Sequence, residues 1–413
     1  MIQILDEGEA SRLFSRSVDR MQSAISIVTP IIADVRAEGD VAVRKYAEKL
    51  DGFAADSFYV ATGGELDSEL GVAVDTAIAN VRLFAEQQLV KSWTKTIGDR
   101  ELGQMVRPLD RVGAYVPSGR YPLLSTLIMA VVPAQVAGVC DITIACPRPT
   151  EQMLALAARL GFKRVLSVGG AQAIAAMAYG TESIGAVQRI VGPGNAYVAA
   201  AKKLVSADVA IDFVAGPSEI VIVANDGNPQ WIAADMLAQS EHDVDARAVL
   251  LTTSTKLANA VQHEVGVQLA SLSTADVAGE SIRTNGAIVI CESEESAFRL
   301  VNLIAPEHLS LYDPSQLDRV RNAGSVFIGE YSTEAAGDYA SGPNHILPTA
   351  GHATVRGGLS VNDFVKVITT QQLSKQAIDA LGATVTTLAR AEGLQHFSLC
   401  KKHALRLVVV DGR

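Results

Sequence analysis

The chain has 413 residues, of which 48% are hydrophobic and 19% are charged, so it is not a disordered protein, and its length predicts two or three domains. Its 35 Lys and Arg against 45 Asp and Glu give a net charge of −10, and no basic cluster larger than Lys202-Lys203 or Lys401-Lys402 occurs, which excludes a general nucleic-acid binder. Four cysteines without a C-x-x-C pair favour free thiols in a reducing compartment. Without a leader-like start or an uninterrupted apolar stretch of membrane length, the sequence predicts a cytoplasmic protein that binds no membrane.

The first part of the chain, residues 11–92, has the pattern of helices. Val28, Ile31, Ile32 and Val35 recur at helical spacing, and charged residues occupy the opposite face. From residue 111 the pattern changes to short Val-, Ile- and Ala-rich runs that alternate with glycine turns and helical stretches, which indicates βαβ units with a parallel sheet. Strands are predicted at 112–115, 142–145, 164–168, 189–191, 220–224, 248–252 and 287–291. The tail from about residue 369 is predicted to be helical again.

Three of the predicted strand-to-helix turns are rich in glycine. They are the turns at 115–119, 168–172 and 191–195. Glycine lets the backbone approach a ligand, and the helix that follows presents unpaired N–H groups, so a pyrophosphate could lie across such turns. A turn of this kind can equally use glycine for its own geometry, and the G-x-G-x-x-G fingerprint is absent. Both interpretations stay open at this point.

A polar pair stands at the end of a well-defined helix. Asn228-Pro229 predicts the start of that helix, with Asn as the N-cap and Pro at its first position. Gln239 and His242 are three residues apart and are predicted to share one helix face. Histidine is a common zinc ligand and glutamine an unusual one, so the pair suits either a metal site or an ordinary polar helix end.

Two further segments carry groups that can transfer protons or bind a ligand. Glu307-His308 places a carboxyl group beside an imidazole, which suits two distinct proton-transfer roles or, with Pro306, an ordinary helix start. The turn-rich segment 337–345 contains Asp338 and His345, which could reach a ligand or metal, or could belong to a surface loop.

Together and in this order, these segments resemble histidinol dehydrogenase from about residue 112 to residue 373. The segments that carry the resemblance are Val112-Gly119 with Ser125-Thr126, Gly169-Gly170-Ala171-Gln172-Ala173, Gly192-Pro193-Gly194-Asn195, Ala215-Gly216-Pro217-Ser218-Glu219, Ala238-Gln239-Ser240-Glu241-His242, Ala305-Pro306-Glu307-His308-Leu309, Gly337-Asp338-Tyr339-Ala340-Ser341-Gly342 and Asn344-His345-Ile346-Leu347-Pro348-Thr349.

The resemblance implies an α/β fold with two incomplete Rossmann-like domains that have parallel sheets, plus small helical N- and C-terminal extensions. The expected boundaries are 1–15 for the N-terminal extension, 16–114 with 218–360 for a large α/β domain that carries the zinc and catalytic residues, 115–217 for an inserted Rossmann-like NAD-binding domain, and 361–413 for a C-terminal extension that contacts the partner subunit.

The resemblance also implies the reaction and the cofactors. Members of the family oxidise L-histidinol through L-histidinal to L-histidine, the last steps of histidine biosynthesis, with two NAD and one zinc ion per subunit. By resemblance, His308 removes the hydroxyl proton and Glu307 activates the water that attacks the aldehyde. A homodimer is expected in which the C-terminal segment completes the partner's active site.

Site residues follow by resemblance, position by position. The implied zinc ligands are Gln239, His242, Asp338 and, from the partner subunit's tail, His396, with His403 as the reserve. The implied substrate contacts are Ser125, Ser218, His345 and Glu392, together with the zinc ligands and Glu307, and the implied NAD contacts are Tyr115, Gln172 and Asn195.

The sequence departs from the family pattern at two places. After Glu392-Gly393-Leu394 the next histidine, His396, comes two residues after the leucine instead of three. The loop Ser118-Gly119-Arg120-Tyr121-Pro122 also differs from that of many members. The alternative is therefore a paralogous zinc- and NAD-dependent dehydrogenase of another polar alcohol, such as an amino alcohol or a sulfonated diol.

Overall fold

The computed structural model describes residues 2–14, 18–52, 57–118 and 123–394. The chain divides into two units, of which the first comprises Met1–Leu89 and Leu109–Phe364 and the second comprises Val90–Pro108 and Val365–Arg413. No helix in the described ranges is both long and apolar enough to cross a membrane.

Fifteen strands are present in the described residues. They are β1 (Gln3–Asp6), β2 (Tyr59–Ala61), β3 (Trp93–Ile97), β4 (Arg100–Pro108), β5 (Arg111–Tyr115), β6 (Asp141–Ala145), β7 (Arg164–Leu166), β8 (Arg189–Val191), β9 (Ala210–Ile211), β10 (Glu219–Val223), β11 (Arg247–Thr252), β12 (Ala287–Ile290), β13 (His308–Leu311), β14 (Ser325–Ile328) and β15 (Val365–Leu373).

Thirteen α-helices are present in the same part of the chain. They are α1 (Val18–Glu38), α2 (Asp40–Tyr46), α3 (Ser68–Gln88), α4 (Leu124–Ala137), α5 (Glu151–Arg159), α6 (Gly170–Tyr179), α7 (Ala196–Val205), α8 (Pro229–Ser240), α9 (Thr255–Leu269), α10 (Ala275–Thr284), α11 (Glu294–Ile304), α12 (Glu334–Tyr339) and α13 (Lys375–Ala391).

The first unit contains a six-stranded sheet in the order β1-β12-β11-β10-β13-β14, in which every pair is parallel. Alternate residues of its central strands enter two apolar clusters, one with α8, α9 and α10 and the other with α11. Strands buried on both faces read as continuous apolar runs, which is why β10, β11 and β12 could be predicted from the sequence. The N-terminal residues predicted as an extension supply the edge strand β1.

The same unit contains a second six-stranded sheet, in the order β2-β7-β6-β5-β8-β9. All its pairs are parallel except that between β2 and β7. Helices α1, α2, α6 and α7 pack in one apolar cluster with residues of this sheet. The predicted α/β class with parallel sheets is therefore confirmed. The expected domain boundary after residue 114 falls one residue before the end of β5, a strand of this second sheet, and the helices from residues 18–46 pack on the same sheet.

The described part of the second unit contains an antiparallel sheet, β15-β4-β3, and helix α13. The prediction of a helical tail from residue 369 is wrong at its start, because residues 369–373 complete the strand β15. Helix α13 begins only after Ser374, whose side chain accepts the N–H of Ala377 as an N-cap. The strand was missed because exposed polar residues interrupt its apolar pattern.

Candidate active site

The pair Glu307-His308 lies at the amino end of β13, which is between β10 and the edge strand β14 of the first sheet. Helix α11 stops at Ala305, which has a φ of 50° in the left-handed region, and His308 is the first residue of the strand. The alternative of a helix start at Pro306 is therefore wrong. Both side chains are buried, with 6% and 4% of their residue surfaces exposed.

The backbone of Glu219, at the start of the neighbouring strand β10, holds both members of this pair. Its N–H donates to Oε2 of Glu307 at 2.9 Å, and its carbonyl lies 3.3 Å from Nδ1 of His308. The carboxylate and the imidazole are 3.7 Å apart, between Oε2 and Nδ1. A single residue thus fixes the position of the carboxylate and the orientation of the ring. This contact was not predicted from the sequence, because it uses backbone groups brought together by strand pairing.

The charges in this pair shift its protonation equilibria. Burial raises the pKa of the Glu307 carboxyl to about 7, although the imidazole of His308 opposes the shift. For His308, burial opposes the charged ring, but the carboxylates of Glu307 and Asp338 outweigh it and raise the pKa to about 9. The two groups therefore stabilise each other in the charged form, as an acid and a base in one buried site.

Asp338 is brought to this pair by the short helix α12. Its Oδ1 lies 3.4 Å from Nε2 of His308, and the hydrogen bond and charge of that ring lower the pKa of Asp338 although burial opposes them. Gly337 packs against the ring of Phe327 on β14, since a Cβ at this position would lie 2.5 Å from Cε1 of that ring. The close packing of α12 on β14 therefore sets where Asp338 lies.

His345 joins the segment after α12 to helix α4. Its Nδ1 lies 2.6 Å from the carbonyl oxygen of Asp338, and its Nε2 lies 3.3 Å from Oγ1 of Thr126 in the first turn of α4. The neighbouring Asn344 donates to the carbonyl of Met129 on the same helix at 2.7 Å. The segment predicted to be either a ligand loop or a surface loop is therefore anchored against α4.

Gln239 and His242 do not share a helix face, contrary to the prediction, because α8 ends at Ser240 and Glu241 is its C-cap. The predicted start of that helix is confirmed, since Asn228 accepts the N–H of Gln230 at 2.9 Å. Gln239 is buried, and its Nε2 has no hydrogen-bond partner. His242 is exposed and lies close enough to Asp338 for its charge to lower that pKa.

Two acids that the sequence did not single out, one buried and one half-buried, lie near this group. Both carboxylate oxygens of Glu334 on α12 lack a hydrogen-bond partner. Burial raises the pKa of Glu334 well above its usual value, and it raises the pKa of Asp235 on α8 to about 6. The charge of Asp235 adds to the effect of burial on Glu334, so the neutral acid is favoured there unless a positive charge lies close by.

The predicted cofactor contacts lie at the carboxyl ends of strands of the second sheet. All three glycine-rich turns connect a strand to a helix as predicted, from β5 to α4, from β7 to α6 and from β8 to α7. Tyr115 is buried, which raises the pKa of its hydroxyl to about 12, and that hydroxyl accepts the N–H of Gly170 at 3.1 Å. Gln172 is fully buried in the first turn of α6.

The turn before α7 is held by a buried ion pair. Asp212 accepts the N–H of Gly192 at 2.8 Å and pairs with Lys202, whose Nζ donates to the carbonyl of Gly192 at 2.9 Å. Gly192 has a φ of 111°, and a Cβ there would overlap the carbonyl oxygen of Tyr115 at 2.0 Å. Asn195 caps α7, since its side-chain oxygen accepts the N–H groups of Tyr197 and Val198, each at 3.1 Å. The turn is therefore preformed without a ligand.

The remaining predicted residues are placed as follows. Ser125 is half-buried in the first turn of α4, and Ser218 is half-buried directly before β10. Glu392 is the exposed C-cap of α13 in the second unit. His396, His403 and residues 119–122 lie outside the described residues. Within the described residues, no three His, Cys, Asp or Glu side chains form a group that could hold a metal ion. Of the predicted zinc ligands in that part of the chain, only His242 and Asp338 are of these four residue types.

Comparison with known proteins identifies the family. The family model described as histidinol dehydrogenase matches residues 14–403. The chain belongs to the histidinol dehydrogenase family. It is 44% identical to the histidinol dehydrogenase of Halalkalibacterium halodurans, with 96% of each chain covered, and 44% identical to that of Thermus thermophilus, with 96% of this chain and 98% of the relative covered.

Its fold agrees with a solved structure of the histidinol dehydrogenase family. The crystal structure of histidinol dehydrogenase from Elizabethkingia anophelis matches with a TM-score of 0.91 and 34% identity, and the match covers 98% of both chains. The resemblance first suggested by short motifs is thus confirmed over nearly the full length.

Proposed function

We propose that the chain oxidises L-histidinol through L-histidinal to L-histidine with two NAD and one zinc ion per subunit. One observation carries this proposal: a buried carboxyl–imidazole pair, fixed by the backbone of Glu219 and next to Asp338, in a member of the histidinol dehydrogenase family. When bound, zinc would hold the amine and imidazole of the substrate, and NAD would accept the hydride.

The proposed zinc ligands are Gln239, His242, Asp338 and the partner subunit's His396. The donor set supports this proposal, because an amide oxygen, a carboxylate and imidazole nitrogens are ligands that suit zinc or a similar divalent ion. Gln239 is buried, and it would bind the metal through Oε1, because its unpartnered atom Nε2 is a donor and not a metal ligand.

His308 is the proposed base of the first oxidation. Its Nδ1 faces the carbonyl of Glu219 at 3.3 Å, and a carbonyl only accepts hydrogen bonds. The neutral ring, which predominates above the pKa of about 9, keeps its proton on Nδ1, so Nε2, 3.4 Å from Oδ1 of Asp338, then has the lone pair that takes the hydroxyl proton of the alcohol. The hydroxyl proton then moves to Nε2 as the hydride leaves the carbon.

Glu307 is the proposed base of the second oxidation. A carboxylate can take a proton from the water that attacks the aldehyde, and a pKa raised to about 7 by burial makes it a stronger base than an exposed carboxylate. The N–H of Glu219 keeps the carboxylate in place for this step. The carbonyl of the aldehyde thereby gains the oxygen that becomes the acid.

The proposed substrate contacts are Ser125, Ser218 and His345, with Glu392 contributed by the partner subunit, and the proposed NAD contacts are Tyr115, Gln172 and Asn195. The homodimer, the cytoplasmic location and the division into domains at residues 15, 114, 217 and 360 are part of this proposal. A small cationic substrate suits the negative surroundings of His308.

The test is NADH formation from L-histidinol, before and after removal of metal with a chelator. We expect two NADH per histidinol, loss of activity with the metal, and recovery when zinc is added. Absence of activity with histidinol, together with activity on another amino alcohol or a diol, would contradict the proposal.

A further inference from the structure

The N-terminus of helix α6 is bound by a carboxylate from a distant part of the chain. Asp51 lies at the end of the π-helical turn Ala47–Asp51. Its Oδ2 accepts the N–H of Gly169 and Nε2 of Gln172, each at 3.0 Å. With the N–H of Gly170 bound to a tyrosine hydroxyl, the amides that a pyrophosphate would use here are already occupied.

Asp51 also fixes the orientation of the Gln172 amide. A carboxylate only accepts hydrogen bonds, so the NH2 group of Gln172 faces Asp51 and Oε1 faces away from it. Oε1 is buried and has no hydrogen-bond partner. A buried acceptor left in this state destabilises the fold, so its presence points to a ligand that donates a hydrogen bond. Gly170, with a φ of 59°, leaves room beside it.

The chemistry of this corner selects one kind of group. An unpartnered carbonyl oxygen beside a fixed carboxylate accepts from a hydroxyl or amino group, and it repels a phosphate. In many dinucleotide sites an acidic residue itself binds a ribose hydroxyl, whereas here the acid orients a glutamine oxygen that can accept from one. Here the usual glycine fingerprint is absent, and the acid comes from outside the second sheet.

We propose that Asp51 is a specificity residue for the cofactor. It holds Gln172 so that Oε1 accepts a hydrogen bond from a ribose hydroxyl of NAD, and its charge excludes the 2′-phosphate of NADP. This inference rests on the proposed function, in which Gln172 is a cofactor contact.

The test compares Asp51→Asn with the parent chain by titrating the full-length protein with NADH and NADPH and following nicotinamide fluorescence. The variant keeps the shape of the side chain and removes its charge. We expect its Kd for NADH to rise three- to tenfold and the preference for NADH over NADPH to fall at least tenfold. If Asp51→Asn does not fold, Asp51→Ser is the second variant. Its hydroxyl can also accept the N–H of Gly169, and it should lose the same preference for NADH.

Asp40→Asn is the matched control. Asp40 lies in the same helical region and binds Thr181 and the N–H of Ser183, beyond the other end of α6. Its loss removes the same charge, so the preference should stay within twofold of the parent. An unchanged preference in both Asp51 variants, or an equal fall in the control, would overturn the proposal.

Direct binding also separates this inference from the proposed reaction. A parent chain that binds NADH with the expected preference but does not oxidise histidinol would remove the proposed function and leave the role of Asp51 supported. A parent chain that binds neither nucleotide would overturn the role of Asp51 as well.

Discussion

Replacing Glu307 by glutamine should separate the two halves of the proposed reaction. The carboxylate accepts the N–H of Glu219 at 2.9 Å, and a glutamine oxygen can accept the same bond, so the side chain should stay in place. The amide cannot take a proton from water. We therefore expect Glu307→Gln to slow oxidation of the aldehyde strongly and oxidation of the alcohol much less.

The magnitude follows from the loss of one positioned base. General base catalysis typically contributes about 10²–10⁴-fold, which corresponds to about 3–5 kcal/mol of barrier. The pH dependence gives a second signature. Because burial raises the pKa of Glu307 to about 7, the active carboxylate is present above that pH. Aldehyde oxidation by the parent should fall about tenfold per pH unit below it, and the residual rate of the variant should not follow this titration.

The assay is single-turnover formation of NADH with L-histidinol and, separately, with L-histidinal. The parent should form two NADH per histidinol without a pause, and Glu307→Gln should form one NADH quickly and the second slowly. Glu334→Gln is the control, since it changes another buried acid near His308 in the same isosteric way. It should leave the ratio of the two rates unchanged. Equal loss of both half-reactions in Glu307→Gln would refute the reasoning.

Three further predictions concern the supports of the site. Lys202→Met leaves the charge of Asp212 buried and unpaired, so we expect a loss of about 3–5 kcal/mol in urea unfolding, partly restored by adding Asp212→Asn; no loss would mean the pair does not hold the turn. Gly337→Ala places a methyl group 2.5 Å from a ring carbon on β14, which should cost about 1–3 kcal/mol and lower zinc content measured by atomic absorption, whereas full zinc content would show that α12 tolerates the shift. Of His396→Ala and His403→Ala, only the first should lose zinc, and the reverse result would reassign the fourth ligand.

The strands predicted from the sequence share one property, which is continuous apolar character. Residues 220–224 and 248–252 were predictable because β10 and β11 are buried on both faces. Strand β13 was missed because its four residues, His308 to Leu311, alternate polar and apolar side chains although all are buried. The same alternation also occurs in loops, so the local pattern did not indicate a buried strand.

The individual residues of the candidate site could be predicted only through the resemblance to the family. The geometry of the site could not be predicted from the sequence. Glu219 contacts Glu307 and His308, which are 88 and 89 positions further along the chain, through its backbone N–H and carbonyl. Nearly every residue type has these two groups, so the residue type at 219 gives no signal. Only the parallel pairing of β10 with β13, with Ile220 opposite His308, brings them together. Pro306 was a misleading signal, because the left-handed Ala305 ends one helix and the chain then enters a strand.

Ligands of α/β proteins generally bind at the carboxyl ends of parallel strands, and only the proposed NAD contacts follow this rule here. The turns with Tyr115 and Gln172 follow the carboxyl ends of β5 and β7, whereas His308 stands at the amino end of β13. His345 joins these two groups of residues. It contacts Thr126 of α4 on one side and the carbonyl of Asp338 on the other. Burial lowers the pKa of His345, which keeps the ring neutral. A neutral ring has one N–H, and because the carbonyl takes it at Nδ1, Nε2 accepts from the threonine hydroxyl. His345 therefore connects helix α4 to the segment that positions Asp338, so under the proposed function a change at either contact should affect NAD binding and zinc binding together.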